Sequence, residues 1–127
     1  MNRIVIEIIP HETHRYETCG DFWNEQDGTL QIRVSKLSSW QRERLIIIHE
    51  LIEETLCRDA GIDERDIDSF DISFEKARPE GNTDEPGDDS HAPYKFQHGV
   101  ASGIERILAA AMEIDWKSYS DELNKLP

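Results

Sequence analysis

Long apolar runs are missing from this chain. No stretch of its 127 residues approaches the roughly 18 apolar side chains that a membrane-spanning helix needs. The first apolar segment, Ile4 to Ile9, is interrupted by Glu7 and is too short for a secretory signal. Cysteine is scarce: Cys19 and Cys57 are too few for a disulfide framework or a thiolate zinc site. Positive charge is in deficit, with 14 Lys and Arg against 27 Asp and Glu, a net charge of −13. Phosphate backbones and anionic membranes draw their protein partners mainly through positive charge, so direct nucleic-acid and membrane binding are disfavoured. There is no Gly-rich phosphate loop, no G-x-S-x-G elbow, no basic-aromatic stripe and no internal repeat. The expectation is a cytoplasmic protein with residues 1–127 in one domain, long enough to bury a core without disulfide or metal.

The negative charge is uneven. Residues 59–89 carry twelve acidic and three basic side chains, which is nine of the thirteen excess charges. Ile4, Ile6 and Ile8 alternate with Arg3, Val5 and Glu7 and read as a strand ended by Pro10. Residues 15–23 read as a weaker strand, Asn24 to Gly28 as a hairpin turn, and Leu30, Ile32 and Val34 as the inner face of a third strand. Ser38 or Ser39 caps a long helix from Trp40 to about Ala60, stopped by Gly61. Phe70, Ile72 and Phe74 alternate with polar residues over Asp66–Glu75 and suggest a fourth short strand. Residues 76–95, with three prolines and many acids, read as an acidic flexible loop. A second long helix is expected from Phe96 to Met112 and a short one over Asp115–Lys125. The fold class is α+β: a three- or four-stranded, mostly antiparallel sheet packed against two long helices, with a short C-terminal helix.

On a helical wheel of about 100° per residue, the first long helix carries two misplaced polar groups. Leu45, Ile46, Ile52 and Leu56 form its apolar face, and His49 and Glu53, one turn apart, fall within that face. A carboxylate on a buried face needs a partner or loses its charge. Side chains at i and i+4 can share one object: a metal ion, a proton or a basic group. Glu50 lies at the border of the two faces, and Glu43, Glu54 and Arg58 belong to the polar side. On the second long helix, His98, Ala101, Glu105, Ala109 and Met112 share one face. With Gly99, its small residues would let the first helix come close.

The string His49-Glu50-Leu51-Ile52-Glu53 reads H-E-x-x-E. It resembles the H-E-x-x-H helix of zincin metallopeptidases, in which two histidines bind zinc and the glutamate acts as general base. The order of an alternating strand at Thr29–Ser35, a short link and a helix apolar before the motif is also similar to small zincins, over residues 29–61. Glu53 replaces the second histidine, which puts peptidase activity in question but keeps a legitimate zinc ligand. The resemblance implies a divalent metal, with zinc first. A negative ligand at position 53 also suits Mn²⁺ or Fe²⁺. His49, Glu53 and His98 are the expected ligands, with Glu50 as the base acting on metal-activated water. Glu105 is either a fourth ligand or an outer partner that holds an imidazole. The reaction would be hydrolysis of an amide or peptide bond in a small-molecule or peptide substrate.

Other readings stand beside this one. His49 and Glu53 could bond only each other, or Glu53 could pair with Arg106. The chain could then be a non-catalytic acidic protein that binds a basic protein partner, as DNA mimics do. Two histidines and a carboxylate also match the facial triad of non-haem iron oxygenases, although three or four strands are few for that fold. His11 and His14 follow Pro10 in a turn and are expected exposed and apart. His91 and Asp88 lie in the acidic loop, within reach of a metal if it folds over. Asp66, Asp68 and Asp71 lack the glycine of a calcium loop. Cys57 reads as core, and Trp40 and Trp116 as anchors of helix ends.

Overall fold

A computed structural model describes residues 2–127. Three strands, β1 (Arg3–Ile9), β2 (Gly20–Asn24) and β3 (Thr29–Ser35), form one sheet in the order β1-β3-β2. Four α-helices follow: α1 (Trp40–Ala60), α2 (Glu64–Ala77), α3 (Lys95–Ala111) and α4 (Trp116–Asn124). The α+β class is as the sequence indicates, but the sheet is mixed: β2 runs antiparallel to β3 and β1 parallel to it. The parallel pair arises because residues 10–19 cross the sheet before β2 begins. In this segment His11 Nδ1 and His14 Nε2 each lie 2.9 Å from Ser35 Oγ. The two histidines therefore meet and are half-buried, not exposed and apart.

The β2–β3 turn closes as its residues require. Gly28 takes φ +89°, and Glu25 N–H donates to Thr29 O at 2.8 Å. Leu30, Ile32 and Val34 are buried under α1. Ile4, Ile6 and Ile8 pair with them in register, so they point to the same side of the sheet. They are nevertheless 56%, 44% and 46% exposed, because α1 lies over β3 and β2.

Helix α1 has the expected ends. Ser39 is its N-cap, accepting from Arg42 N–H at 3.2 Å, and Gly61 closes it at φ +71°. Glu43 and Glu54, expected on a polar face, are buried with partners. Glu43 accepts from Leu37 N–H at 2.9 Å, and Glu54 accepts from Arg58 at 2.8 Å.

The fourth strand is not formed; residues 66–75 lie inside α2. Asp63 caps this helix by accepting from Arg65 N–H at 2.9 Å, and Glu64 and Asp66 place negative charge in its first turn. Ile67, Phe70, Asp71 and Phe74 recur at helical spacing on its inner side, while Ile72 is turned out. The alternation at 70, 72 and 74 was a fragment of that longer pattern. The loop between α2 and α3 is consequently residues 78–94. It is pinned by Arg78, which donates to the carbonyls of Asn82 and Asp84 at 2.7 Å each. A short 3-10 turn, Pro86–Asp88, sits in this loop.

Candidate metal centre

The site forms where α1 and α3 pack. His49 and Glu53 sit one turn apart on α1, and His98 sits in the first turn of α3, whose N-cap is Tyr94. The buried residues of α3 are His98, Ala101, Glu105 and Ala109, four of the five read from its wheel. Ala101 and Ala109 allow the close approach. Gly99 takes no part, since a side chain there would meet nothing within 4 Å.

Three donor atoms converge in the contact. Glu53 Oε2 lies 3.1 Å from His49 Nε2 and 2.9 Å from His98 Nδ1. The two imidazole rings stand edge-to-face with centroids 4.9 Å apart. All three residues are buried, and their donor atoms fall within 4.8 Å of one another. Tetrahedral zinc with bonds of about 2.0–2.2 Å spaces its ligands roughly 3.3–3.6 Å apart, so small outward movements would admit an ion.

The other nitrogen of each ring meets a carboxylate. His49 Nδ1 is 2.8 Å from Glu105 Oε1, and Glu105 Oε2 accepts from Tyr119 O–H at 2.6 Å. His98 Nε2 is 2.8 Å from Glu85 Oε2. A carboxylate behind a ligating imidazole fixes its tautomer and orientation and raises its basicity. Glu105 thus stands behind His49, with one oxygen on the imidazole and the other on Tyr119. Among the described residues no arginine pairs with Glu53; Arg106 instead stacks over Trp116 at 4.7 Å.

The electrostatics follow from this packing. Burial opposes charge on His49, but its bonds to Glu105 and Glu53 dominate and hold its pKa up at about 11. His98 behaves alike: burial works against the cation, and Glu53 and Glu85 raise its pKa to about 10. Glu53 resists the upward push of burial through its bonds to both histidines and falls below its ordinary value. Glu50 differs. It is buried, and burial followed by the charge of Glu53 drives its pKa well above the usual carboxylate range. It is no solvated surface acid.

Comparison with known proteins returns nothing similar: no family model, curated protein or solved structure matches this chain.

A cavity of about 360 Å³ opens onto the centre, lined by Glu50, His49, Glu53 and His98 together with β2 and the 78–94 loop. Gly20 lets β2 reach this wall, since a Cβ there would lie 2.8 Å from Ile46 Cγ2 and 2.9 Å from Glu50 Cδ. Gly87 does the same for the loop: its Cβ would fall 2.3 Å from His98 Cγ. Deeper in the cavity Asp71 accepts hydrogen bonds from Tyr94 and, at 3.3 Å, from Tyr16.

Several of these residues escaped the sequence reading. Glu85 and Tyr94 lie in the 78–94 loop and carry no periodic signal, and Tyr119 is the buried residue of the short helix α4. Asp71 is buried on the inner side of α2, a place that the alternation of Phe70, Ile72 and Phe74 does not show. Of the two loop residues considered, Asp88 approaches His98 Nε2 at 3.4 Å, while His91 is exposed and pairs with Asp89. Cys57 is core as expected, and Trp40 is 59% exposed at the start of α1.

Proposed function

We propose that this chain binds one divalent metal ion through His49, Glu53 and His98 and acts as a small zincin-like hydrolase of amide or peptide bonds. The observation that carries the reading is the convergence of His49 Nε2, Glu53 Oε2 and His98 Nδ1, with a carboxylate behind each imidazole. When bound, the ion supplies a lowered pKa for water and a polarised carbonyl, with zinc the first expectation and Mn²⁺ or Fe²⁺ next. Glu105 and Glu85 orient the two imidazoles, and Tyr119 steadies Glu105. Glu50 lines the same cavity and supplies the base. Burial and the nearby Glu53 favour its protonated form, and a neighbouring cation favours the carboxylate form that accepts the water proton. It then returns that proton to the leaving amine. The cavity accommodates a small molecule or a short peptide segment.

One observation favours a second reading. His49, Glu53 and His98, together with Glu105 and Glu85, satisfy one another's hydrogen bonds without an ion, which is what a purely structural cluster needs. The chain would then be a non-catalytic acidic protein binding a basic partner. Elemental analysis of the purified protein beside His49→Ala and Glu53→Ala separates the two. The expected result is about one equivalent of Zn, Mn or Fe, lost in both variants. Amide hydrolysis should follow, reduced at least about 100-fold by Glu50→Gln. No uptake from Zn²⁺ or Mn²⁺ solutions removes the hydrolase reading. Salt-sensitive retention of a DNA-binding protein on the immobilised chain would then support the acidic-partner reading.

A further inference from the structure

The far side of the His98 ring carries, besides the Glu85 carboxylate that orients it, a second acid, so the donor set there is larger than orientation of the ring requires. His98 Nε2 lies 2.8 Å from Glu85 Oε2 and 3.4 Å from Asp88 Oδ1. All three donors fall within 4.8 Å of one another. Asp88 is already at the roughly 3.3–3.6 Å spacing of ligands around a four-coordinate ion, and Glu85 needs to open by about half an ångström. One imidazole nitrogen with two carboxylate oxygens is a suitable set for zinc, manganese or iron.

The loop is built around this nitrogen. The His98 side chain is 7% exposed, whereas those of Glu85 and Asp88 are 54% and 63% exposed. A buried imidazole thus presents its outer nitrogen to two exposed acids, of which Glu85 also lines the cavity. The 3-10 turn between those acids begins at Pro86, and Gly87 presses its backbone against the ring so closely that no Cβ fits. Lys95 Nζ donates to Asp88 O at 2.7 Å and ties the turn to the start of α3.

We propose that Glu85, Asp88 and Nε2 of His98 form a second divalent-cation site, and that the His98 imidazole bridges it to the centre at His49 and Glu53. The second site rests on its own three donors; the bridge alone depends on the reading above. Binding at Nε2 displaces that nitrogen's proton to solvent, so with both ions present the ring is held as imidazolate. Water fills the remaining outward positions, and the ion fastens the Pro86–Asp88 turn to α3 beside the cavity.

The test uses the whole chain. Native protein, Glu53→Gln, His98→Ala and the double variant Glu85→Gln/Asp88→Asn are dialysed against Zn²⁺ and analysed for bound metal, with circular dichroism checking each fold. The double variant alters only exposed side chains and is expected to fold. The expected stoichiometry is two ions in the native chain, one in Glu53→Gln, one in the double variant and none in His98→Ala. Loading with Cu²⁺ adds a readout of the bridge. Two coppers joined by imidazolate couple magnetically, so the native resonance should fall below that of the singly loaded double variant. One ion that survives the double variant but not Glu53→Gln overturns the second site and leaves the hydrolase centre intact. One ion that survives Glu53→Gln but not the double variant overturns the hydrolase centre and the bridge. Two uncoupled coppers overturn the bridge, and no bound metal overturns both sites.

Discussion

His49 is gripped at both ring nitrogens by carboxylates, Glu53 within its own helix and Glu105 across the α1–α3 contact. That difference in origin separates their roles. Glu53 faces the second imidazole, whereas Glu105 faces away from it and leans on Tyr119. Glu105→Gln should keep the packing but weaken the acceptor behind His49. About 10–100-fold weaker metal affinity is expected, read by competition with a chelator. Unchanged affinity would remove Glu105 from the metal centre. Asp71 offers a separate pH test. Burial pushes its pKa up to about 7, against the bond from Tyr94, and the charge of Glu53 adds to the rise. Below its ordinary value of 3.8 both folded and unfolded chains hold the proton. Between there and about 7 the folded chain holds it more strongly, so this contribution to stability declines as pH rises and is flat above. Asp71→Asn removes that decline. Denaturant unfolding of the metal-free protein should show the variant gaining on the parent between pH 4 and pH 7, by a few kcal/mol at most. A gap independent of pH would contradict the assignment.

Helix α1 holds the histidine and two glutamates in one register, and its ends say where that register starts. The Ser39 hydroxyl accepts from Arg42 N–H at its N-cap, and Gly61 takes the left-handed turn that ends it. Ser39→Ala is expected to cost about 1 kcal/mol in thermal or denaturant unfolding, with metal stoichiometry unchanged, since the site lies more than two turns away. A loss near zero would mean that packing alone sets the helix start. α2 teaches the opposite lesson. Its capping residue Asp63 and the spacing of Ile67, Phe70 and Phe74 were present in the sequence, yet the shorter alternation of Phe70, Ile72 and Phe74 suggested a strand. A period of two and a period near 3.6 coincide over so few residues, and only the longer window separates them.

Across the whole molecule, residues with the same local pattern meet different fates. Ile6 and Ile32 are register partners on neighbouring strands, but Ile32 is 0% exposed and Ile6 is 44% exposed. The helix layer covers β3 and β2 and leaves β1 as an edge with its isoleucines open. Ile6→Thr should therefore cost under about 1 kcal/mol, and Ile32→Ala about 2–5 kcal/mol, in urea unfolding. Equal costs would show that β1 is covered in solution. No helix among the described residues is long and apolar enough to cross a membrane, in keeping with the scarcity of apolar runs.

The sequence by itself determined what depends on near neighbours. The caps and length of α1, the Gly28 turn, the inner face of α3, and the unusual place of His49 and Glu53 on an apolar face all follow from spacing within one element. The pairing of His98 with that face was legible as a chemical need, because a buried carboxylate demands a partner. Its geometry was not. Tertiary structure alone decided that β1 runs parallel to β3, that Glu105 stands behind His49, and that Glu85 and Asp88 reach His98 from the loop. Those contacts join residues distant in the chain, and no local periodicity records which distant surface will cover a given face.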